Sequence, residues 1–132
     1  MVSALFDTSL VRDYLSGEAK AAAVFAQYRH KSISVVTWIE VMAAASDELQ
    51  EQTRDFLRSF ERLAMNEAIA DRALALMQSH GEQSLACVIP WATALVNAMV
   101  FVTADPPRMK GNDVSVVVPY RSKRGKQTGR RR

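Results

Sequence analysis

Apolar residues recur along the chain in two patterns, short continuous runs and longer stretches with helical spacing. The short runs are mostly rich in valine, isoleucine and phenylalanine, which is typical of buried strands, and they lie at 2–6, 33–36, 63–65, 100–103 and 114–118. The longer stretches predict helices at 9–16, 18–29, 38–45, 47–61, 67–79 and 86–96. Strands that are apolar throughout and alternate with helices predict an α/β fold, with a parallel sheet covered on both faces.

Hydroxyl side chains precede two of the predicted helices and predict helix caps. Thr8 and Ser9 stand where the helix at 9–16 should begin. Thr37 takes the same place before the helix at 38–45, and Glu40 follows at the spacing of a capping box. Glu40 is therefore expected in the first helical turn after the second strand.

Residues 85–102 are almost entirely apolar and are about long enough to span a bilayer. Pro90 interrupts this stretch, and its last residues are β-branched or aromatic, as in a buried strand. We therefore interpret the stretch as a helix followed by a central strand and expect no association with a membrane. A single cysteine and an N-terminus without the pattern of a secretory signal predict a cytoplasmic protein.

Charge is divided unevenly along the chain. Residues 121–132 carry 7 of the 17 basic residues and no acid, so residues 1–120 hold 10 basic and 14 acidic residues, a net charge of about −4. This division predicts a folded domain at 1–120 and a disordered basic tail at 121–132. The tail is either a solvated segment without a function or a non-specific contact for polyanions, with RNA-binding candidates Arg121, Lys123, Arg124 and Lys126.

Three acidic residues follow predicted strands. Asp7 ends the first strand, Glu40 follows the second, and Asp105 lies two residues beyond the fourth. Parallel strands place their carboxyl ends at one edge of the sheet, where ligands bind at the topological switch point. Clustered carboxylates there would suit Mg²⁺ or Mn²⁺, which can lower the pKa of bound water and stabilise the charge of a phosphodiester. Each acid taken alone is also compatible with a helix cap or a turn.

Five segments in order resemble the PIN-domain family and, within it, the VapC-type toxins of toxin–antitoxin pairs. They are LFDTSLVRDYLSG at 5–17, ISVVTWIEVMAAA at 33–45, LAMNEAIADRALAL at 63–76, IPWATALVNAMVFVTAD at 89–105 and VSVVVPY at 114–120. The resemblance covers about residues 2–120. It implies a three-layer α/β/α fold with a mainly parallel sheet of about five strands. It also implies an endoribonuclease dependent on Mg²⁺ or Mn²⁺, a VapB-like antitoxin that inhibits it, and a homodimer.

The resemblance also assigns site residues by position. Asp7, Glu40 and Asp105 match family acids that bind metal and serve catalysis. Thr8, Ser9 and Thr103 match positions that hold metal-bound water or a carboxylate in place. An apolar groove between the helices at 9–16, 18–29 and 48–61 is expected to accept an antitoxin helix.

Cys87 departs from the family pattern, because it stands where a further metal-binding aspartate is expected to open a helix. Three interpretations remain open. In the first, Cys87 is a small apolar residue in a degenerate site. In the second, it is a thiolate ligand whose pKa is lowered by the helix N-terminus. In the third, the site still works with three acids and does not need Cys87. Pro90 is expected in the first turn of the same helix.

The leading hypothesis is an endoribonuclease toxin, active or attenuated, in which water attacks RNA and leaves a 3′-hydroxyl and a 5′-phosphate. A second hypothesis is a degenerate PIN domain that binds RNA or an antitoxin without cutting. A third is that the change to cysteine disarms a toxic enzyme. Residues given no catalytic role are Asp13, expected to be solvated, His30 and His80 near helix ends, and Trp38 and Trp91 in core or interface packing.

Overall fold

A computed structural model describes residues 2–123 and shows one five-stranded sheet in which every strand pairing is parallel. The strands are β1 (Ala4–Phe6), β2 (Lys31–Ser34), β3 (Glu61–Leu63), β4 (Val100–Val102) and β5 (Val116–Val117), in the order β3-β2-β1-β4-β5. The chain winds outward to β3 on one side of β1 and then returns to build β4 and β5 on the other. The switch point, where such sheets open a crevice, therefore lies at the carboxyl ends of β1 and β4.

Helices cover both faces of this sheet. They are α1 (Thr8–Leu15), α2 (Ala19–Phe25), α3 (Val35–Ala44), α4 (Gln50–Leu57), α5 (Glu67–His80) and α6 (Leu85–Val96), with a 3₁₀ turn at Asp47–Leu49. Side chains alternate along β1, so Leu5 packs with the α5 and α6 layer, whereas Phe6 packs with α1 to α4. Both residues are fully buried. The α/β fold class, with α/β/α layers, is confirmed.

The start of α3 differs from the sequence prediction. β2 ends at Ser34, and α3 begins at Val35, inside the β-branched pair that we assigned to the strand. The Ser34 hydroxyl accepts a hydrogen bond from the Val36 N–H at 3.0 Å, so Ser34 is the N-cap. The Thr37 cap and the capping box with Glu40 are therefore wrong. β-Branched residues favour strands only weakly, and here the cap and tertiary packing prevail.

Replacing Ser34 with alanine is expected to lower the free energy of unfolding by about 1 kcal/mol, because it removes this cap. Ser46→Ala is the matched control, since Ser46 precedes the 3₁₀ turn but forms no side-chain cap. Chemical denaturation of both variants measures the difference. Equal losses in the two variants would contradict the cap at Ser34.

The apolar stretch divides into a helix and a strand, as the sequence predicts. α6 ends at Val96 and β4 follows at Val100. Among residues 2–123, no helix is both long and apolar enough to cross a membrane. Ser84 caps α6, so Pro90 lies in the second helical turn and not in the first, as we expected. There the proline removes the N–H that would bond to the carbonyl of Ala86.

Candidate active site

A cavity of about 180 Å³ opens at the carboxyl ends of β1 and β4, at the switch point of the sheet. The three acids predicted from the sequence all contribute to its wall, and so does Cys87. The complete lining is Asp7, Thr8, Ser9, Arg12, Glu40, Ser84, Ala86, Cys87, Asp105 and Ser122. The fold thus brings together residues that are up to 115 positions apart in the sequence.

Asp7 is the N-cap of α1, a position that we assigned to Thr8 and Ser9. Its Oδ1 accepts hydrogen bonds from the Leu10 N–H at 3.3 Å and the Ser9 hydroxyl at 2.6 Å. Its Oδ2 accepts one from the Thr103 hydroxyl at 2.5 Å. The carboxylate is therefore fixed in orientation by three donors, and its roles as a cap and as a cavity residue coincide.

Burial raises the pKa of Asp7 from 3.8 to about 6. The hydrogen bonds from Ser9, Thr103 and Leu10 oppose this rise, and the charge of Asp105 adds to it. Without a metal, keeping Asp7 ionised beside the charge of Asp105 therefore costs free energy. A cation in the cavity would remove that cost.

Glu40 lies in the second turn of α3, because the helix begins earlier than predicted. Its Oε1 accepts a hydrogen bond from the Thr8 hydroxyl at 2.6 Å. The Thr8 oxygen also lies 3.1 Å from the hydroxyl oxygen of Thr37, which is fully buried. α1 and α3 are thereby linked through the residues that orient Glu40.

Two hydroxyls connect the segment after β4 to the start of α1. The Ser9 oxygen accepts a hydrogen bond from the Ala104 N–H at 3.1 Å, and the Thr103 oxygen accepts one from the Asp105 N–H at 3.0 Å. Since both hydroxyls also donate to Asp7, they fix the backbone at Asp105 relative to Asp7. The Asp105 residue itself is exposed.

Cys87 is a neutral thiol in this cavity. Burial raises its pKa to about 12, and the charges of Asp7, Asp105 and Glu40 add to the effect. Of the three interpretations of Cys87, the thiolate with a lowered pKa is therefore not favoured in the metal-free protein, because burial and three nearby acids outweigh the helix dipole. Cys87 supplies neither a charge nor a hard oxygen to the metal-free site.

The donor set fits a hydrated Mg²⁺ or Mn²⁺ ion better than a metal enclosed by protein ligands. Among residues 2–123, no three His, Cys, Asp or Glu side chains stand close enough together to coordinate one ion. Mg²⁺, however, usually keeps several waters and needs only one or two carboxylates from the protein. The oxygen atoms of Asp7, Glu40 and Asp105 meet that requirement at one cavity.

Sequence reasoning missed three residues near the cavity. Asp13, expected to be solvated, is only 6% exposed and accepts hydrogen bonds from Tyr120 and Ser122. Arg12 and Ser122 line the cavity itself. One signal was available, because Asp13 lies three residues after the buried Leu10, on the same face of α1.

The basic candidates fall at the limit of the described chain. Arg121 and Lys123 are both exposed, whereas Arg124 and Lys126 lie outside the described residues. Ser122, between the exposed pair, is buried and donates its N–H to the Ala104 carbonyl at 2.7 Å. Hydrogen bonding to the folded body therefore continues to Ser122.

Comparisons with known proteins agree with this geometry. A profile of the PIN domain matches residues 4–107. A chain in a toxin–antitoxin complex from Klebsiella pneumoniae is 34% identical to this one with a TM-score of 0.81, over 89% of this chain and 98% of that chain. A comparison with curated proteins finds no match.

Two more distant structures share the fold. FitAcB from Neisseria gonorrhoeae is 19% identical with a TM-score of 0.64, over 77% of this chain and 87% of that chain. VapBC2 from Rickettsia felis, bound to a DNA fragment from its promoter, is 11% identical with a TM-score of 0.62, over 89% of this chain and 97% of that chain. Because the PIN profile spans most of the chain, and the relative with 34% identity covers nearly all of it, this chain belongs to the PIN-domain family.

Proposed function

We propose that this chain is a VapC-like toxin, a metal-dependent endoribonuclease of the cytoplasm that a protein antitoxin neutralises. The observation that carries the proposal is the meeting of Asp7, Glu40 and Asp105 at one cavity at the switch point of the sheet. The relative in a toxin–antitoxin complex supports the same assignment. Cys87, a neutral residue among these acids, attenuates the activity.

Each acid has a role that follows from its surroundings. Asp7 and Asp105 would hold Mg²⁺ or Mn²⁺, with Asp7 prevented from rotating by its three hydrogen bonds. Glu40, oriented by Thr8, would also face the ion and accept the proton of the attacking water. When bound, the cation supplies charge neutralisation at the phosphodiester and activation of water. Attack at phosphorus would leave a 3′-hydroxyl and a 5′-phosphate.

A second cavity is the place we assign to the antitoxin. It has a volume of about 360 Å³ and lies between α1, α3 and the start of α4, with Leu15, Val41, Ala44 and Leu49 in its wall. α2 does not line this cavity, so the site proposed here uses the helices at 9–16 and 48–61 of the expected groove, with α3 in place of the helix at 18–29. Arg12 lines both cavities, so a peptide in the apolar groove would extend toward the acids.

We further propose that the chain forms a homodimer. Support comes from large apolar side chains that are exposed on three helices, with Ile39 at 54%, Leu74 at 56% and Leu85 at 64%. Exposed apolar side chains of this size are a common feature of surfaces that bind another protein.

A second function is favoured by one specific observation, the neutral thiol at Cys87. If three acids bind metal too weakly for catalysis, the chain is an RNA- or antitoxin-binding module without nuclease activity. That function predicts RNA binding that weakens steeply with salt and no cleavage stimulated by metal.

The test is RNA cleavage by the full chain with Mg²⁺, with Mn²⁺ and with a chelator. Cleavage is expected only with a metal, and Glu40→Gln is expected to slow it by about 10²-fold or more. Glu48→Gln is the matched control, because Glu48 is exposed in the 3₁₀ turn and does not line the cavity. Cleavage that persists in the chelator, or that Glu40→Gln leaves unchanged, would contradict the proposal.

A further inference from the structure

Adjacent residues of α1 face two different parts of the molecule. Arg12 lines the cavity that holds the three acids. Asp13 is buried and contacts the end of the described chain, accepting a hydrogen bond from the Tyr120 hydroxyl at 2.8 Å and one from the Ser122 hydroxyl at 3.1 Å. Tyr120 and Ser122, which lie 107 and 109 positions after Asp13, are thus fixed against the helix that Asp7 caps.

The contacts of Ser122 place this segment at the rim of the cavity. Its N–H bonds to the carbonyl of Ala104, next to Asp105, and the residue contributes to the cavity wall. Arg121 and Lys123, on either side, are exposed. Neither basic residue lines the cavity, but both adjoin a serine that is held in its wall, so their backbone lies close to the cavity.

Tyr120 strengthens this attachment. Burial raises the pKa of its hydroxyl well above the usual range, and the hydrogen bond to Asp13 acts in the same direction. The hydroxyl therefore stays protonated and remains a donor to Asp13 at any physiological pH. A donor to a carboxylate forms one of the stronger classes of hydrogen bond in proteins.

The negative charge of the cavity favours cations at its rim. Three carboxylates line the cavity and would repel a polyanionic strand. Arg12 has no carboxylate within ion-pair distance among residues 2–123, so its charge is available to a ligand. Beyond Lys123 the sequence adds Arg124, Lys126, Arg130, Arg131 and Arg132, which extend the same sign of charge.

We propose that Arg12, Arg121 and Lys123 form a phosphate-binding rim for the RNA strand, and that Asp13 is the positioning residue that fixes it through Tyr120 and Ser122. The rim would bind the RNA phosphates on either side of the phosphodiester that is cut at the three acids. The inference deepens the proposed nuclease function and rests on it. It adds a reason for a buried carboxylate in α1 that the catalytic roles do not use.

The test is binding of a fluorescent single-stranded RNA oligonucleotide to the full chain, without metal and over a range of salt concentrations. Arg121→Gln with Lys123→Gln is expected to raise the Kd about tenfold at low salt, and to reduce the slope of log K against log salt by about 1.4, or about 0.7 for each lost phosphate contact. Arg54→Gln with Arg58→Gln is the control, because this exposed pair makes the same change in charge and lines a different cleft. Equal effects of the two pairs would overturn the rim.

The role of Asp13 is tested through Tyr120→Phe, which keeps the ring and removes the donor. The variant is expected to raise the Kd for RNA about three- to tenfold. In the Tyr120→Phe protein, Arg121→Gln with Lys123→Gln is expected to raise the Kd for RNA much less than it does in the wild type. Tyr28→Phe is the control, since the Tyr28 ring packs against Phe6 and the hydroxyl bonded to Asp13 is that of Tyr120. If the effects of Tyr120→Phe and of the pair at 121 and 123 on the free energy of RNA binding simply add, Asp13 contributes to stability and does not position the rim.

The two proposals fail in different ways. A chain that binds RNA through the rim but never cleaves it would refute the nuclease function and keep the rim. Cleavage of RNA by a chain whose rim variants behave like the Arg54 and Arg58 control would keep the nuclease and refute the rim.

Discussion

Replacing Cys87 with aspartate is expected to raise the rate of metal-dependent RNA cleavage by two to three orders of magnitude. Removal of one oriented charge from an active site typically costs about 10²- to 10³-fold in rate, and this change restores such a charge. Cys87 already faces Asp7, Asp105 and Glu40, whose charges raise its pKa. A carboxylate there would add two hard oxygens to a donor set that offers three acids.

The control for this experiment is Cys87→Ser, which has nearly the same shape and adds no charge. Both variants and the wild type are compared with Mg²⁺ and with Mn²⁺ under single-turnover conditions. The aspartate is expected to accelerate cleavage with both metals and the serine with neither. If the serine variant gains as much as the aspartate variant, the deficit lies in the packing of the thiol and not in charge.

The same comparison separates the three hypotheses stated from the sequence. Cleavage by the wild type that depends on Glu40 shows that three acids suffice. Cleavage only by Cys87→Asp identifies a disarmed nuclease, whose present role must then lie in binding. Cleavage by neither supports the degenerate module.

The fold followed from the sequence because its main signals are periodic and local. Continuous apolar strands alternate with amphipathic helices, and this alternation has few solutions other than a parallel sheet between two helical layers. The same signals misplaced the start of α3. Val35 and Val36 have strand-forming side chains, yet Ser34 caps a helix that begins with them. Local propensity does not decide such a boundary when a cap and burial oppose it.

The site could be predicted from the sequence only in part. Some of its residues fit a local pattern, whereas others meet only in the folded chain. Asp7, Glu40 and Asp105 share one recognisable property, a position within six residues after the end of a strand. Asp13 does not follow a strand. Its spacing from Leu10 indicates a buried position, but its partners Tyr120 and Ser122 meet α1 only in the folded chain. The pKa of Cys87 was likewise beyond sequence reasoning. Its direction depends on the burial and the three charges that the fold imposes, and a helix N-terminus alone predicts the opposite.

Asp7→Asn is expected to abolish cleavage and yet to stabilise the metal-free protein. The folded-state pKa of Asp7 is raised from 3.8 to about 6, so keeping it charged in the folded state costs free energy. That cost is fully present above about pH 6 and disappears as the pH falls toward 3.8, where the carboxyl is protonated in both states. At 1.36 kcal/mol for each pH unit, the cost at neutral pH is up to about 3 kcal/mol.

Asparagine removes this cost and keeps the cap, because its side-chain oxygen can still accept the N–H of Leu10. The variant is therefore expected to melt roughly 5–10 °C above the wild type well above pH 6. The gain should vanish well below pH 6. Asp71→Asn, an exposed change on α5, is the control and should shift the melting temperature little at either pH.

The response to a metal ion is a second measure of the charge on Asp7. A cation that binds the folded protein stabilises it by mass action, so Mg²⁺ or Mn²⁺ should raise the melting temperature of the wild type. Asp7→Asn should lose most of that gain together with at least about 10²-fold in cleavage rate. A variant that is less stable than the wild type above pH 6, or that gains as much from the metal, would show that the charge of Asp7 is compensated within the protein. The buried carboxylate would then be structural and not the centre of a metal site.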